Sequence, residues 1–600
     1  MIDHNLYVFF REYVLEALRQ TVPDLPEVLL ERVELTPTKD PTHGDMATNA
    51  ALIIAKAVKR RPQELAQELA DYLKKIDGIE NAEPAGPGFV NLKISASVFQ
   101  RLISVILATG EAFGASKIGQ GTVVNVEYVS ANPTGPMHVG HCRGAVVGDV
   151  LANLMTKAGF DVTKEYYIND AGTQVVALAW AAYWRYLQAL GQDISAEAFE
   201  EKFQPYMASG LQYQGDYLVP VGELLAKEHG ETLLEGTDAQ PIPAWFDIVR
   251  ECVLKEMMAS IRTDLDALGV HQDVFVSELS ILNSGKAESA LKLLQDKGLL
   301  YTGVLEPPKG KVIEDWEQRP QTLFKSTEYG DDVDRPLRKS DGTATYFAND
   351  IGYHYDKVER GAKILIDILG ADHGGYVSRM RAAIKALTAQ DPVDFEVVLC
   401  QIVRVVRNGE VVKMSKRAGT FITLRDLIDE VGKDAVRFTM LTRKSDAQMN
   451  FDLEQVIAQT RDNPVFYVQY AHARCRSVLR SAVQAMGTDA IKPVVLAKQA
   501  LTTLKSDAEL ALMRRLGQWP RIVESAALVR EPHRIAYYLM EVAADFHALW
   551  NAGRDDATLR FIQEEDSSGT MARLALVEAT ACVIRSAMKI LGVEPVEEMR

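Results

Sequence analysis

Apolar positions change their spacing three times along this chain. Tyr7, Phe10, Val14 and Leu18 recur at the helical interval and predict a buried helix face. Residues 64–73 repeat that interval, Pro84, Gly86, Pro87 and Gly88 interrupt it, and Phe89 to Ile94 alternates as a strand. Residues 1–112 thus predict a small α+β domain, with the Gly- and Ser-bearing stretch 110–121 as a linker. A longer region, 118–455, opens with an apolar run over 122–129 and a loop holding Pro133, Gly135 and Pro136. A helix over 138–157, a stop at Gly159 and a strand over 162–168 follow. In a parallel sheet this β-loop-α-β unit must cross over right-handed, which sets the loop and the helix N-terminus at the carboxyl edge of the strands, where ligands bind. Chemistry is therefore expected near residues 130–145.

The sheet resumes at 363–369, ending at Gly370, and at 397–406, where Asn408-Gly409 predicts a hairpin turn before Val411-Val412. Between about 190 and 245, Gly, Pro, Glu and isolated aromatics show no sustained period, and the stretch reads as an insertion. Residues 456–600 carry only long helical patterns and predict a separate all-α domain. The expected class is α/β: a Rossmann-like parallel-sheet domain between an N-terminal α+β domain and a C-terminal all-α domain.

Composition narrows the setting. A chain of 600 residues, 47% apolar and 25% charged, needs more than one hydrophobic core, and no apolar run reaches the ~18 residues of a membrane span. The first residues lack the basic segment of a secretory signal. Cys142, Cys252, Cys400, Cys475 and Cys582 are odd in number and never spaced as C-x-x-C, which points to a reducing, cytoplasmic compartment and to no structural metal. A formal charge of −16 argues against binding nucleic acid by bulk electrostatics unless charge is locally polarised.

Two short segments carry chemistry. In Ala131-Asn132-Pro133-Thr134-Gly135-Pro136-Met137-His138-Val139-Gly140-His141, two imidazoles at i and i+3 share a helix face. Gly140 lets a nucleotide approach the backbone, and free amides at the helix start attract phosphate. In Lys413-Met414-Ser415-Lys416-Arg417-Ala418-Gly419-Thr420, two lysines on a Gly-containing loop can neutralise charge as pyrophosphate leaves. Isolated, the first is more often a capping or core pair and the second a solvated loop. Glu127, at the end of the first strand, and Asp350 are carboxylates that could hold a cationic group. Tyr346 and Asp350, at i and i+4, would share a helix face. Taken singly, Tyr346 reads as core packing and each acid as a surface ion pair. Asp372 and His373, after an apolar strand and a Gly turn, stand where ribose or adenine would be met, or serve the turn alone.

The pairing of H-V-G-H with K-M-S-K resembles the signatures of class I aminoacyl-tRNA synthetases. The wording A-N-P-T-G-P-M-H-V-G-H-C-R-G-A-V-V-G-D resembles the arginyl family, as do His43–Asn49, Gly86–Asn91, Leu369–His373 and Asn463–Arg474. The resemblance implies activation of L-arginine by ATP, with Mg²⁺, to arginyl-adenylate. Transfer to the 3′-terminal adenosine of tRNA-Arg follows, in reactions that generally require tRNA even for activation. It assigns ATP to His138, Gly140, His141, Gly370, Asp372, His373, Lys413, Met414, Ser415 and Lys416, of which His138, His141, Lys413 and Lys416 carry the catalysis. Arginine is assigned to Glu127, Asn132, His138, Tyr346, Asp350 and His373, although some relatives have glutamine where this chain has His373. It assigns tRNA to Phe89 and Asn91 in the N-terminal domain and to Tyr467, Tyr470 and Arg474 in the anticodon-binding helices. A monomer without membrane attachment is expected. The rival readings are a class I synthetase for another amino acid and a non-catalytic tRNA-binding protein.

Overall fold

The computed structural model describes residues 4–38, 40–207, 210–234, 245–305, 319–412 and 422–599. These form two compact units, Gly119–Ala458 and the combination of Met1–Ile118 with Gln459–Arg600.

In the first unit, apolar residues of five segments build a sheet whose strands all run parallel: β1 (Val123–Glu127), β2 (Asp161–Ile168), β3 (Val274–Ser277), β4 (Ile364–Gly370) and β5 (Asp394–Cys400). Their spatial order is β5-β4-β1-β2-β3. From β1 the chain winds outward one way through β2 and β3; β4 and β5 extend the other way. The order therefore reverses between β1 and β4, and the carboxyl ends of those two strands flank a crevice. Helix α1 (Val139–Lys157) joins β1 to β2, α2 (Tyr346–Glu359) precedes β4, and α3 (Tyr376–Leu387) joins β4 to β5.

The apolar run read over 397–406 is two strands. β5 starts earlier and ends at Cys400; exposed Ile402 breaks the run, and Val403–Arg407 joins a different sheet, pairing with Met449–Asp452. The Asn408-Gly409 hairpin stands where expected, with φ of 51° and 77° and Arg407 opposite Glu410. Between β2 and β3 the chain forms the helices Thr173–Ala189, Ala196–Phe203, Val219–His229 and Phe246–Leu268. They close on an aromatic core that includes Trp180, Tyr183, Phe199, Phe203, Trp245 and Phe246. Two of these helices have only 8 and 11 residues, too few to show a sustained period.

Buried charge fixes α1. The Asp149 carboxylate lies 2.5 Å from Arg437 and 2.8 Å from Lys164. Burial alone would raise its pKa, but the two cations outweigh that and lower it. Arg143, also buried, donates to the carbonyls of Gln401, Lys444 and Ala447.

The second unit holds a four-stranded antiparallel sheet ordered Leu35–Pro37, Met46–Thr48, Phe89–Ile94, Ile79–Ala85. Around it stand helices from both ends of the chain. Trp519 Nε1 donates to Phe113 O at 3.1 Å, Gln100 to Leu504 O at 3.0 Å, and Asn5 to the Glu524 carboxylate at 2.8 Å. The 25-residue helix Ser567–Leu591 is buried along most of its length.

Candidate active site

The row of residues level with the end of β1 is unusual in its charge. Glu165 on β2, Glu127 on β1 and Asp367 on β4 are register partners across three adjacent strands, and all are buried. Like charges so placed repel and resist desolvation. Helix α2 answers with a basic ridge, His354, Lys357 and Arg360, spaced three residues apart. Arg360 reaches Glu165 at 2.8 Å; Lys357 Nζ reaches Glu127 at 2.5 Å and Asp367 at 3.3 Å; His354 Nε2 reaches Asp367 at 2.9 Å. The other ring nitrogen of His354 meets the Asp350 carbonyl at 2.8 Å. Since both partners are acceptors, both nitrogens carry protons and the ring is a cation. Burial pulls the His354 pKa down, but Asp367 outweighs it and the pKa is raised. Tyr353 and Asn125 complete the row by donating to Glu165 at 2.7 and 2.8 Å. Glu127, His354 and Asp367 offer ligand atoms within 4.8 Å of one another, as a metal would need, but the Lys357 ammonium stands between the two carboxylates.

This zipper sets α2 over the strand ends, and the helix carries two of the expected arginine residues on its first turns. Tyr346 is 66% exposed, so core packing does not explain it. Asp350 is crowded: burial, ahead of Glu278 and Glu127, pushes its carboxyl up to about 7 against the opposing effect of His354 and Arg379. Glu278, directly after β3, is raised by burial and by Asp170. The Tyr167 phenol faces Glu278, Asp350, Glu127 and Asp170 together. Beside the three acids and three cations of the zipper stand Asp350, Glu278 and Asp170 with Arg379, so acids outnumber cations there. Glu127 is not the surface ion pair that its residue type suggests, but a buried one.

The opposite wall is the turn after β1. His138 caps α1: Gly140 N–H donates to His138 Nδ1 at 3.0 Å, His138 N–H to His141 Nδ1 at 3.3 Å, and the rings stack with centroids 4.0 Å apart. The capping reading of this pair therefore holds. Asn132, exposed on the loop, accepts from Asn169 at 2.8 Å and donates to Gln174 at 2.9 Å. Lys413, Met414, Ser415 and Lys416 lie outside the described residues. Immediately beyond that stretch, Ile422 O accepts from Val139 N–H at 3.3 Å and Leu424 N–H donates to Met137 O at 2.8 Å, with Thr423 bridged to His138. The chain that carries the lysines therefore returns against the histidine turn. Gly370 ends β4, and Asp372 and His373 follow in an exposed turn at the same sheet edge.

In the other unit, Phe89 and Asn91 point to the same, outward face of their strand, with Phe89 38% exposed. A buried Phe is therefore not what the strand contains. Tyr467, Tyr470 and Arg474 lie on the helix Pro464–Met486. Arg474 donates to the Tyr470 hydroxyl at 2.8 Å and stacks over the rings of Tyr470 and Trp550 at 4.1 and 4.7 Å. Nearby, Trp550, Phe561, Arg554, Arg560 and Ser477 line a cavity of about 470 Å³. Sequence reading missed this cavity, because its walls come from segments far apart in the chain. It also missed the zipper, although the H-x-x-K-x-x-R spacing after Asp350 was visible.

Comparison with known proteins fits this geometry. Residues 102–477 match the family described as tRNA synthetases class I (R), catalytic domain, which defines a class I aminoacyl-tRNA synthetase fold and site. Residues 9–94 match the arginyl tRNA synthetase N terminal domain, and 468–599 the DALR anticodon binding domain. The chain is 63% identical over 597 residues to an arginine–tRNA ligase of Gluconobacter oxydans, covering 99% of this chain and 98% of that one. It is 53% identical over 599 residues to that of Parvibaculum lavamentivorans, covering 99% of this chain and all of that one. The arginyl-tRNA synthetase structure of Thermus thermophilus shares the fold, with TM-score 0.73 at 21% identity over 99% of this chain and 100% of that one. The chain belongs to the arginyl-tRNA synthetase family.

Replacing Lys357 by Met strands two buried carboxylates, and a loss of about 3–5 kcal/mol in denaturant-induced unfolding of the full chain is expected. The added mutation Glu127→Gln should restore part of it. The raised Asp350 carboxyl gives a second expectation. If arginine binds beside Asp350, its cation favours the ionised carboxylate, and affinity is expected to be full above about pH 7 and to fall, by up to about tenfold per pH unit, as pH drops below it. Calorimetric titration from about pH 5.5 to 8.5 measures this, with proton release on binding near pH 7 as its mark.

Proposed function

We propose that this chain activates L-arginine with ATP and transfers it to the 3′-terminal adenosine of tRNA-Arg, releasing AMP and pyrophosphate. One observation supports the reading: the returning end of the lysine segment packs on the histidine turn, at the same edge of the parallel sheet as the acids Asp350 and Glu278. Negative charge left over beside the zipper suits a guanidinium, with Asp350 and Tyr346 from α2 and Asn132 from the facing loop as its holders. Glu127 contributes as a buried charge steadied by Lys357, and His373, in the turn after β4, serves as a further arginine contact.

In the proposed sequence the arginine carboxylate attacks the α-phosphorus of ATP in line, and pyrophosphate leaves. His138, His141, Lys413 and Lys416 stabilise the charge as it moves, while Gly140, Met414, Ser415, Gly370 and Asp372 shape the nucleotide site. The 2′-hydroxyl of the terminal adenosine then attacks the adenylate's carbonyl carbon, and AMP leaves. No protein nucleophile is needed: Cys142 and Cys400 are buried, and burial pushes both thiols up to about 12. Mg²⁺ enters with the triphosphate as part of the substrate. The acid-and-histidine cluster of the zipper does not suit it, being filled by Lys357, and no step is assigned to the ion.

For tRNA, exposed Phe89 and Asn91 offer an aromatic and an amide to an unpaired base. The cavity lined by Trp550 and Phe561 offers stacking surfaces, with Arg554 and Arg560 for phosphate, and Tyr467 and Tyr470 lie on the neighbouring helix Pro464–Met486. Arg474 serves there by holding Tyr470 and Trp550. Among the described residues no helix is long and apolar enough to cross a membrane. We infer a monomer working in the cytoplasm.

Charging assays with each amino acid and bulk tRNA test the reading: arginine alone should be esterified. Asp350→Asn should weaken selection of arginine against citrulline and lysine, and intact selection would remove Asp350 from the site. Lys416→Ala should slow turnover about 10²-fold at nearly unchanged tRNA affinity, as for one lost charge-stabilising donor.

A further inference from the structure

The loop from Tyr128 to Met137 carries Asn132 and delivers His138 to the start of α1. It leaves β1 through Val129 and Ser130, at φ of 73° and 39°. A β-branched residue rarely takes such a conformation, so the surroundings must impose it. Ser130 Oγ holds the turn itself, donating to Glu127 at 2.8 Å and accepting from Tyr167 N–H at 3.0 Å, and two tyrosine hydroxyls cap carbonyls further along the loop. Tyr166, from β2, donates to Ala131 O at 2.7 Å. Tyr217, from the helical insertion, donates to Thr134 O at 2.8 Å.

Tyr217 reaches the loop through a slot made by two glycines. A Cβ on Gly135 would stand 3.1 Å from the ring's Cζ, and one on Gly215 would stand 2.4 Å from its Cε1. Tyr213 adds a hydrogen bond to the Thr134 side chain. The slot is braced from within the insertion. Arg185 holds Asp216 at 3.1 Å and the Gln214 carbonyl at 2.7 Å. The helix Val219–His229 lies so close to Thr173–Ala189 that a Cβ on Gly222 would be 2.4 Å from the Arg185 backbone.

We propose that Tyr217 is a positioning residue for adenylate formation, through which the insertion fixes the loop between Asn132 and His138. This deepens the functional reading above and rests on it. The tyrosine touches no reactant; it acts through the Thr134 carbonyl, so its removal should misplace the histidine turn relative to bound ATP rather than empty either substrate site.

The test is arginine-dependent ATP–pyrophosphate exchange in the presence of tRNA, with the full-length protein. Tyr217→Phe removes only the hydroxyl; kcat should fall about tenfold while KM for arginine and for ATP stays within about twofold and the melting temperature holds. A double-mutant cycle guards against a trivial structural effect. Gly215→Ala, at an ordinary φ of −66°, pushes a methyl against the ring and should lower kcat, but in a Tyr217→Ala background the methyl has room and the same change should cost clearly less. Full kcat in Tyr217→Phe overturns the proposal, as does an equal Gly215→Ala effect in both backgrounds. A lower melting temperature with both KM values raised overturns it too, as the mark of a merely structural residue. Absence of exchange in the wild type overturns the reading of the activity and this inference with it.

Discussion

Three carboxylates side by side on adjacent buried strands are a constraint that the rest of the catalytic unit has to satisfy. A parallel sheet covered on both faces gives Glu165, Glu127 and Asp367 no water to share. Only cations brought in from a covering layer can hold them ionised, and α2 brings three at one helical ridge. Because each cation has its own partner, the helix can sit in one register only. That register suspends Tyr346 and Asp350 over the crevice where the strand order turns back. Fold and specificity are here one electrostatic problem with one solution.

Matching charge for charge also decides where negative potential is left over. The zipper is internally balanced, so it does not attract a ligand itself, and its own lysine fills the position that a metal ion would take. The surplus lies one helical turn away, at Asp350, with Glu278 across from it. Burial raises both carboxyls, with Glu278 and Glu127 adding to it at Asp350 and Asp170 adding to it at Glu278.

Local chemistry was legible in the sequence wherever it depended on neighbours in the chain. The strand-loop-helix around His138, the hairpin at Asn408-Gly409 and the alternating strand from Phe89 all follow from spacing and turn residues. Tyr346 and Asp350 do share a helix, as their interval implies. What stayed hidden depends on distant partners. Lys357 and Glu127 are 230 positions apart, Arg360 and Glu165 are 195, and each acid reads locally as a mere interruption of an apolar strand. The insertion's core escaped for another reason: between 190 and 245 its helices have only 8 and 11 residues, while Trp180, Tyr183 and Phe246 reach the core from the longer helices on either side. The strand read as 397–406 hid a change of sheet, since apolar content alone does not say which neighbour a strand will take.

The unit formed by residues 1–118 and 459–600 is discontinuous in the chain, with Trp519 seated on the Phe113 carbonyl and Glu524 holding Asn5. Synthesis proceeds from one end only. At about 5–20 residues per second, the intervening 119–458 take roughly 20–70 s to be made. Through that interval the amino-terminal segment waits outside the ribosome with the face meant for Trp519 and Leu504 unfilled, while the sheet-bearing unit can already close. Protection of that early surface, by a chaperone or by its own residual structure, is thus part of what this architecture demands of the cell.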